Sequence, residues 1–328
     1  MRAFLAVAIS LGAATPLFAD TQGIQLQPVG EAQPIDRTTQ TQDVQIKKDR
    51  DDRMTVPVML SGSGPYRFLV DTGADRTAVS TQIADRLRFA RQQNVVLHGV
   101  AGAKSVETAK VPLLQLERKR VSEIDAALLD SDHMGADGIL GVDSLASQRV
   151  MFDFDKNTMS VVPSSSPDFR REPGTIVVSA KRKYGRLLFT EASINGRSAV
   201  VVIDTGSAVS LGNEALRRQL RGKRELTSKE QVELMSVTGD KILGDYMFAR
   251  ELQLGGVTLN DLAIIFADAH TFKQLGLENR PALLLGMNAI RAFKKVSIDF
   301  ANRKFRVVLP EHSELDTQLA MKAVPSRQ

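Results

Sequence analysis

The chain is 328 residues long, enough for about two domains at roughly 150 residues each. It contains no cysteine, which excludes disulfides, Cys-ligated zinc, iron–sulfur clusters and thiol catalysis. Lys and Arg number 43 against 38 Asp and Glu, and a net charge of +5 is too small to mark a nucleic-acid surface; the absence of Trp also argues against a base-stacking platform.

Residues 1–19 have the make-up of a secretory signal. Arg2 supplies the positive charge, Ala3 to Leu17 is apolar with a break at Pro16, and Leu17-Phe18-Ala19 offers a small residue at the cleavage position before Asp20. Ser10, Gly12 and Thr15 dilute this short stretch below what a membrane-spanning helix requires, and no later segment is apolar for long enough to span a bilayer. Export of a cysteine-free chain fits a bacterial periplasm. Residues 20–50 are polar, rich in Gln and without a period of 2 or 3.6, so they read as a flexible N-terminal extension. A pro-segment covering a cleft is the alternative.

From Met54 the pattern turns to short β-type runs. Met54 to Leu60 leads into the turn signal Ser61-Gly-Ser-Gly-Pro65, and Tyr66 to Val70 follows as a second strand. The same order returns near residue 190: Glu191 to Ile194, the hairpin dipeptide Asn195-Gly196, then Ala199 to Ile203. Both second strands end in one tripeptide, Asp71-Thr72-Gly73 and Asp204-Thr205-Gly206. Thr77 and Ser210 follow at equal offsets, and helical stretches are expected over Thr81–Ala90 and Asn213–Arg221. Next come Val100-Ala101-Gly102 and Val237-Thr238-Gly239 between β-rich flanks, then Ile139-Leu140-Gly141 and Leu284-Leu285-Gly286. Val150 to Phe154 matches Val296 to Phe300, each before a last strand. The chain is therefore an internal duplication: an N-terminal lobe over 51–163, a Pro- and Ser-rich linker over 164–173, a C-terminal lobe over 174–312 and a tail over 313–328. Two copies are too few for a solenoid, so two pseudo-symmetric lobes are expected.

Phe68-Leu-Val-Asp71-Thr-Gly-Ala74 and Val201-Val-Ile-Asp204-Thr-Gly-Ser207 resemble the catalytic loops of aspartic proteases, and each later apolar-apolar-Gly resembles the family's second landmark. Lobe length, and Ala74 where pepsins carry Ser, point to the retropepsin-like branch with both lobes fused. The resemblance implies an all-β, bilobal, pepsin-like acid-protease fold: two pseudo-symmetric β-barrel lobes with short helices and a cleft between them. It also implies a catalytic dyad of Asp71 and Asp204. Thr72 and Thr205 are expected to hydrogen-bond across to the opposite loop, with Gly73, Ala74, Gly206 and Ser207 supporting the two loops.

Two adjacent carboxyls cannot both ionise, so they share a proton; one activates a water as general base while the other donates to the scissile carbonyl. Such chemistry needs no cofactor. Ser207 is expected to donate to the outer oxygen of Asp204, an interaction Ala74 cannot make with Asp71. Gly99, Val100, Ala101 and Gly102, with Val237, Thr238 and Gly239, fall where the family carries flaps that cover an extended peptide, and the Gly-richer first hairpin is favoured as the mobile one. His98, His133, His270 and His312 are scattered without ligand spacing, so no metal site is expected. The basic cluster Arg217–Arg224 reads as a solvated helix end. The implied activity is peptide-bond hydrolysis on a periplasmic protein or peptide by a monomeric chain. The rival is a catalytically silent protein holding a peptide in the same cleft.

Overall fold

The computed structural model describes residues 53–310 apart from 117–118, 146, 166–171, 173, 184–185 and 222–230, together with the backbone pairing of short segments at 4–5, 9–11, 26–28, 43–45 and 47–48. Most of the expected signal and extension, part of the linker and the 313–328 tail lie outside the described residues.

Each copy closes into a six-strand barrel. In the first, the strands run Met54–Leu60, Ser63–Val70, Gly138–Leu140, Ala78–Ser80, Lys119–Leu129 and Ala103–Leu116, and the last pairs back to the first through Leu114 and Leu60. In the second the matching order is Arg186–Ile194, Arg197–Ile203, Ala282–Leu285, Ser210–Gly212, Val257–Phe266 and Lys241–Leu254, closed by the pairing of Ala192 with Leu254. The bilobal, pseudo-symmetric all-β architecture is thus present. Turn chemistry opens each barrel. Ser61 and Gly62 adopt φ of 48° and 85°, and Asn195 and Gly196 adopt 49° and 73°, the left-handed conformations that a tight two-residue hairpin demands.

Helices are short and start on side-chain caps. Ser80 accepts from the Ile83 N–H before Thr81–Arg86, and Asn213 accepts from the Leu216 N–H before Glu214–Leu220. The first helix is shorter than the expected Thr81–Ala90. Arg88 turns to a φ of 54°, and Ala90 begins the strand Ala90–His98.

A third sheet joins the lobes from below. Its order is Thr175–Ser179, Lys304–Val308, Lys295–Asp299, Gln148–Asp153, Thr158–Pro163 and Asp43–Gln45, so the closing strands of both copies lie side by side. Val150, Phe152, Val296, Ile298, Phe305 and Val307 are buried, and one apolar cluster runs through this sheet into both barrels. No helix among the described residues is long and apolar enough to cross a membrane.

The barrels position the two triplets by one device. The strand Gly138–Leu140 lies between Ser63–Val70 and Ala78–Ser80, parallel to the first and antiparallel to the second. Ala282–Leu285 does the same between Arg197–Ile203 and Ser210–Gly212. Both strands are wholly buried and end in a glycine with backbone at its side: a Cβ on Gly141 would lie 2.4 Å from Arg76 C, and one on Gly286 2.3 Å from Val209 O. That closeness explains the apolar-apolar-Gly landmark. Because rigid backbone cannot yield as a side chain would, Gly286→Ala is expected to cost about 1–3 kcal/mol of stability or more, measured by urea unfolding.

Candidate active site

The crossing strands hand each Asp its place. The Asp71 N–H donates to the Leu140 carbonyl at 3.1 Å and the Asp204 N–H to the Leu285 carbonyl at 3.0 Å. Asp71 and Asp204 are both buried. Within each loop the glycine N–H turns back on the carboxylate: Gly73 N donates to Asp71 Oδ1 at 2.7 Å, and Gly206 N to Asp204 Oδ1 at 3.1 Å.

The two loops meet face to face. A Cβ on Gly206 would lie 2.2 Å from Asp71 Cγ, and one on Gly73 would lie 2.6 Å from Asp204 Oδ1. Each carboxyl therefore packs against the bare glycine of the opposite lobe, which brings Asp71 and Asp204 to one seam. Only a residue without a side chain permits that approach.

Thr72 and Thr205 lock the seam. The Thr72 hydroxyl donates to the Ile203 carbonyl at 3.0 Å and accepts from the Thr205 N–H at 3.1 Å. The Thr205 hydroxyl donates to the Val70 carbonyl at 2.6 Å and accepts from the Thr72 N–H at 3.0 Å. These are the crossed bonds that the sequence resemblance implied.

A second tier holds each loop to its crossing strand. The Thr77 hydroxyl lies 2.8 Å from Asp143 Oδ1 and accepts from the Gly141 N–H at 3.3 Å. In the other copy Ser210 Oγ donates to Asn288 Oδ1 at 2.8 Å and accepts from the Gly286 N–H at 3.1 Å. Asp143 and Asn288 were not singled out from sequence. Each stands two residues past its landmark glycine, so matched offset was the available signal, and the change from Asp to Asn concealed it.

Ser207 departs from expectation. Its hydroxyl donates to the Val209 carbonyl at 2.6 Å and not to Asp204. A hydroxyl has one hydrogen to give, and an acceptor two residues ahead in the same turn takes it. The expected bond from Ser207 to the outer oxygen of Asp204 is therefore not made. Ala74, at the matching position, is fully buried.

Both flap candidates are hairpin tips. Gly99 N donates to Gly102 O at 2.8 Å across the first tip, and Ser236 N to Asp240 O at 2.8 Å across the second. Neither tip stands free in solvent. Val100 is buried among Val200, Val202, Leu211, Ala267 and Phe272 of the C-terminal lobe, with Ala101 packed alongside. Val237 is buried among Leu69, Ala74, Leu97, Ala127 and Ile139 of the N-terminal lobe. Each hairpin tip thus docks in the opposite lobe, so the glycine count does not single out the first. Lys104 Nζ also donates to Thr238 O at 2.9 Å, tying one hairpin to the other. Of the basic cluster, Arg217 pairs with Asp245 and with Glu214, while 222–224 lie outside the described residues.

Two barrels that each bring one Asp-Thr-Gly loop to a shared seam define the class of fold and site. A model of the aspartyl protease family matches residues 56–144 and 190–289, one segment per lobe and more than half of the chain together. The chain belongs to the aspartyl proteases, in their retropepsin-like form with both lobes fused. No curated protein matches it.

Replacing Thr72 with Val keeps the shape but leaves the Thr205 N–H and one acceptor without their buried partner. Thr72→Val is therefore expected to lower stability by about 1–3 kcal/mol, with Thr72→Ser restoring most of it, as read by thermal and urea unfolding. Ser207→Ala is expected to leave the acid limb of any pH–rate profile where it stands in the parent protein.

Proposed function

We propose that the protein is an endopeptidase in which Asp71 and Asp204 jointly activate a water against a peptide carbonyl. The observation that carries this reading is the reciprocal packing of each carboxyl on the opposite glycine, inside loops crossed by Thr72 and Thr205. Two carboxyls held so close favour one shared proton over two charges. The ionised member takes a proton from water, the protonated member gives one to the carbonyl oxygen, and a tetrahedral diol results. Reversing the roles passes a proton to the departing amine, so the dyad ends as it began.

The lids supply the rest. A hairpin over the seam offers backbone N–H and C=O groups to an extended chain, which binds as an added strand. The substrate class is therefore a protein or peptide in extended form. With one Asp from each lobe, a single chain holds a complete site and acts as a monomer without a cofactor. The Arg2–Ala19 segment directs the reading of location to the periplasm, and its substrate to a periplasmic protein.

Both aspartates are needed at once. Asp71→Asn and Asp204→Asn, each near-isosteric, are expected to lower kcat/KM on a cleaved peptide by about 100- to 10,000-fold while unfolding temperature stays close to the parent. Substantial cleavage by either variant would overturn the dyad. Peptide binding without cleavage by the parent would establish a binding protein instead.

A further inference from the structure

We propose that His98 and His270 form a proton-sensitive latch that positions the first lid, holding it closed while the pair is uncharged and releasing it when the pair takes up protons. The proposal rests on the reading of residues 99–102 as a lid, but not on cleavage itself. Both residues act as positioning residues.

His98 ends the strand Ala90–His98 at the base of the first lid, and His270 begins the helix His270–Gln274 in the opposite lobe. Though 172 positions apart, their rings lie edge to edge, with centroids 5.1 Å apart and planes 16° from parallel. His98 Nδ1 lies 2.9 Å from His270 Nε2. The backbone joins the same contact, since the His270 N–H donates to the Val100 carbonyl at 2.9 Å. One residue of the C-terminal lobe therefore grips the lid twice, beside the apolar seat of Val100.

The ring contact works only while a lone pair is available. Gln274 Nε2 approaches His270 Nε2 at 3.2 Å, so that nitrogen accepts from both the amide and the His98 Nδ1–H. A proton on His270 Nε2 would set three donors against one another. Charging both rings would add repulsion between cations in direct contact.

Burial, and secondarily the neighbouring His270, holds the His98 imidazole below its ordinary pKa of 6.5. The closed lid therefore favours the neutral ring. Closure is fully supported above pH 6.5 and weakens as pH falls through 6.5 toward the lowered value, because only the open form protonates readily there.

The charged groups on the surrounding elements are engaged elsewhere. On the adjoining strand Lys104 bonds Thr238 O and lies 3.7 Å from Asp240 of the second lid. On the His270 helix Lys273 pairs with Asp268 at 3.3 Å. His133 packs on Gly239 of the second lid, where a Cβ would lie 2.5 Å from its Cε1. Among the described residues no carboxylate contacts either ring of the pair, so nothing offsets the second charge.

The cysteine-free chain allows two unique labels. Ser105→Cys on the first lid and Asn279→Cys on the C-terminal lobe, both exposed positions, carry nitroxides for pulsed distance measurement on the full protein without substrate. The distance is expected to be single and narrow at pH 8. At pH 5 a second, longer population is expected to appear beside the narrow one. His98→Gln and His270→Gln can each accept from or donate to the remaining ring, so both are expected to stay closed at either pH. His98→Phe should be open in part at both. An unchanged distribution in the parent between pH 8 and 5, or the full response surviving in both Gln variants, would overturn the latch. A pH-dependent distance in a chain that cleaves nothing would keep the latch and reject the protease.

Discussion

The architecture turns on four hydrogen bonds exchanged by Thr72 and Thr205. Each hydroxyl gives its hydrogen to the carbonyl that ends the other lobe's strand, and each receives the other threonine's N–H. All four sit where water does not reach, so removing one partner while the lobes stay together would leave a buried polar group unpaired at about 1–3 kcal/mol. The shared lower sheet joins the lobes over a wider area, but it does not fix the loops to each other. The crossed bonds do, and they leave residues 73 and 206 no room for a side chain. Glycine at both places is a consequence of the lock.

Symmetry between the lobes is one of positions more than of residues. Thr77 and Ser210 each tie an Asp-Thr-Gly loop to the glycine of its crossing strand, yet their further partners are a carboxylate in one copy and a carboxamide in the other. The difference has local causes. Asp143 also accepts from the Thr77 N–H, whereas Asn288 turns its amide outward to donate to the Ala263 carbonyl. An acceptor oxygen is what the loop requires. Either residue type supplies one, and the spare functional group serves its own lobe.

What could be read in advance follows the same division. Asp71-Thr72-Gly73 and Asp204-Thr205-Gly206 were legible because strand, carboxyl, hydroxyl and glycine are all needed and all local. Asn195-Gly196 was legible for the same reason. The Ser207 contact was not, since a rotamer of one side chain decides between an acceptor in the next turn and one in the catalytic loop. Nor did the polar stretch before Met54 show that Asp43–Gln45 pairs with the edge strand Thr158–Pro163; backbone pairing there overrides a composition without period. His98 and His270 looked scattered because proximity across lobes leaves no spacing in the chain.

The two hairpin tips share a last constraint. Seating Val100 and Val237 in opposite lobes removes two apolar tips from water, worth about 1.5–3 kcal/mol each as an upper bound, and this holds each hairpin against the other lobe. Two separate seats would let each hairpin detach alone. Lys104 opposes that independence. It rises on the first hairpin and donates to Thr238 O on the second, and this bond, more than the exposed approach to Asp240, ties them. The bond is shared, so displacing either hairpin breaks it for both, and each tip is then held by its own apolar seat and its histidine neighbour, Val100 beside His270 and Gly239 beside His133.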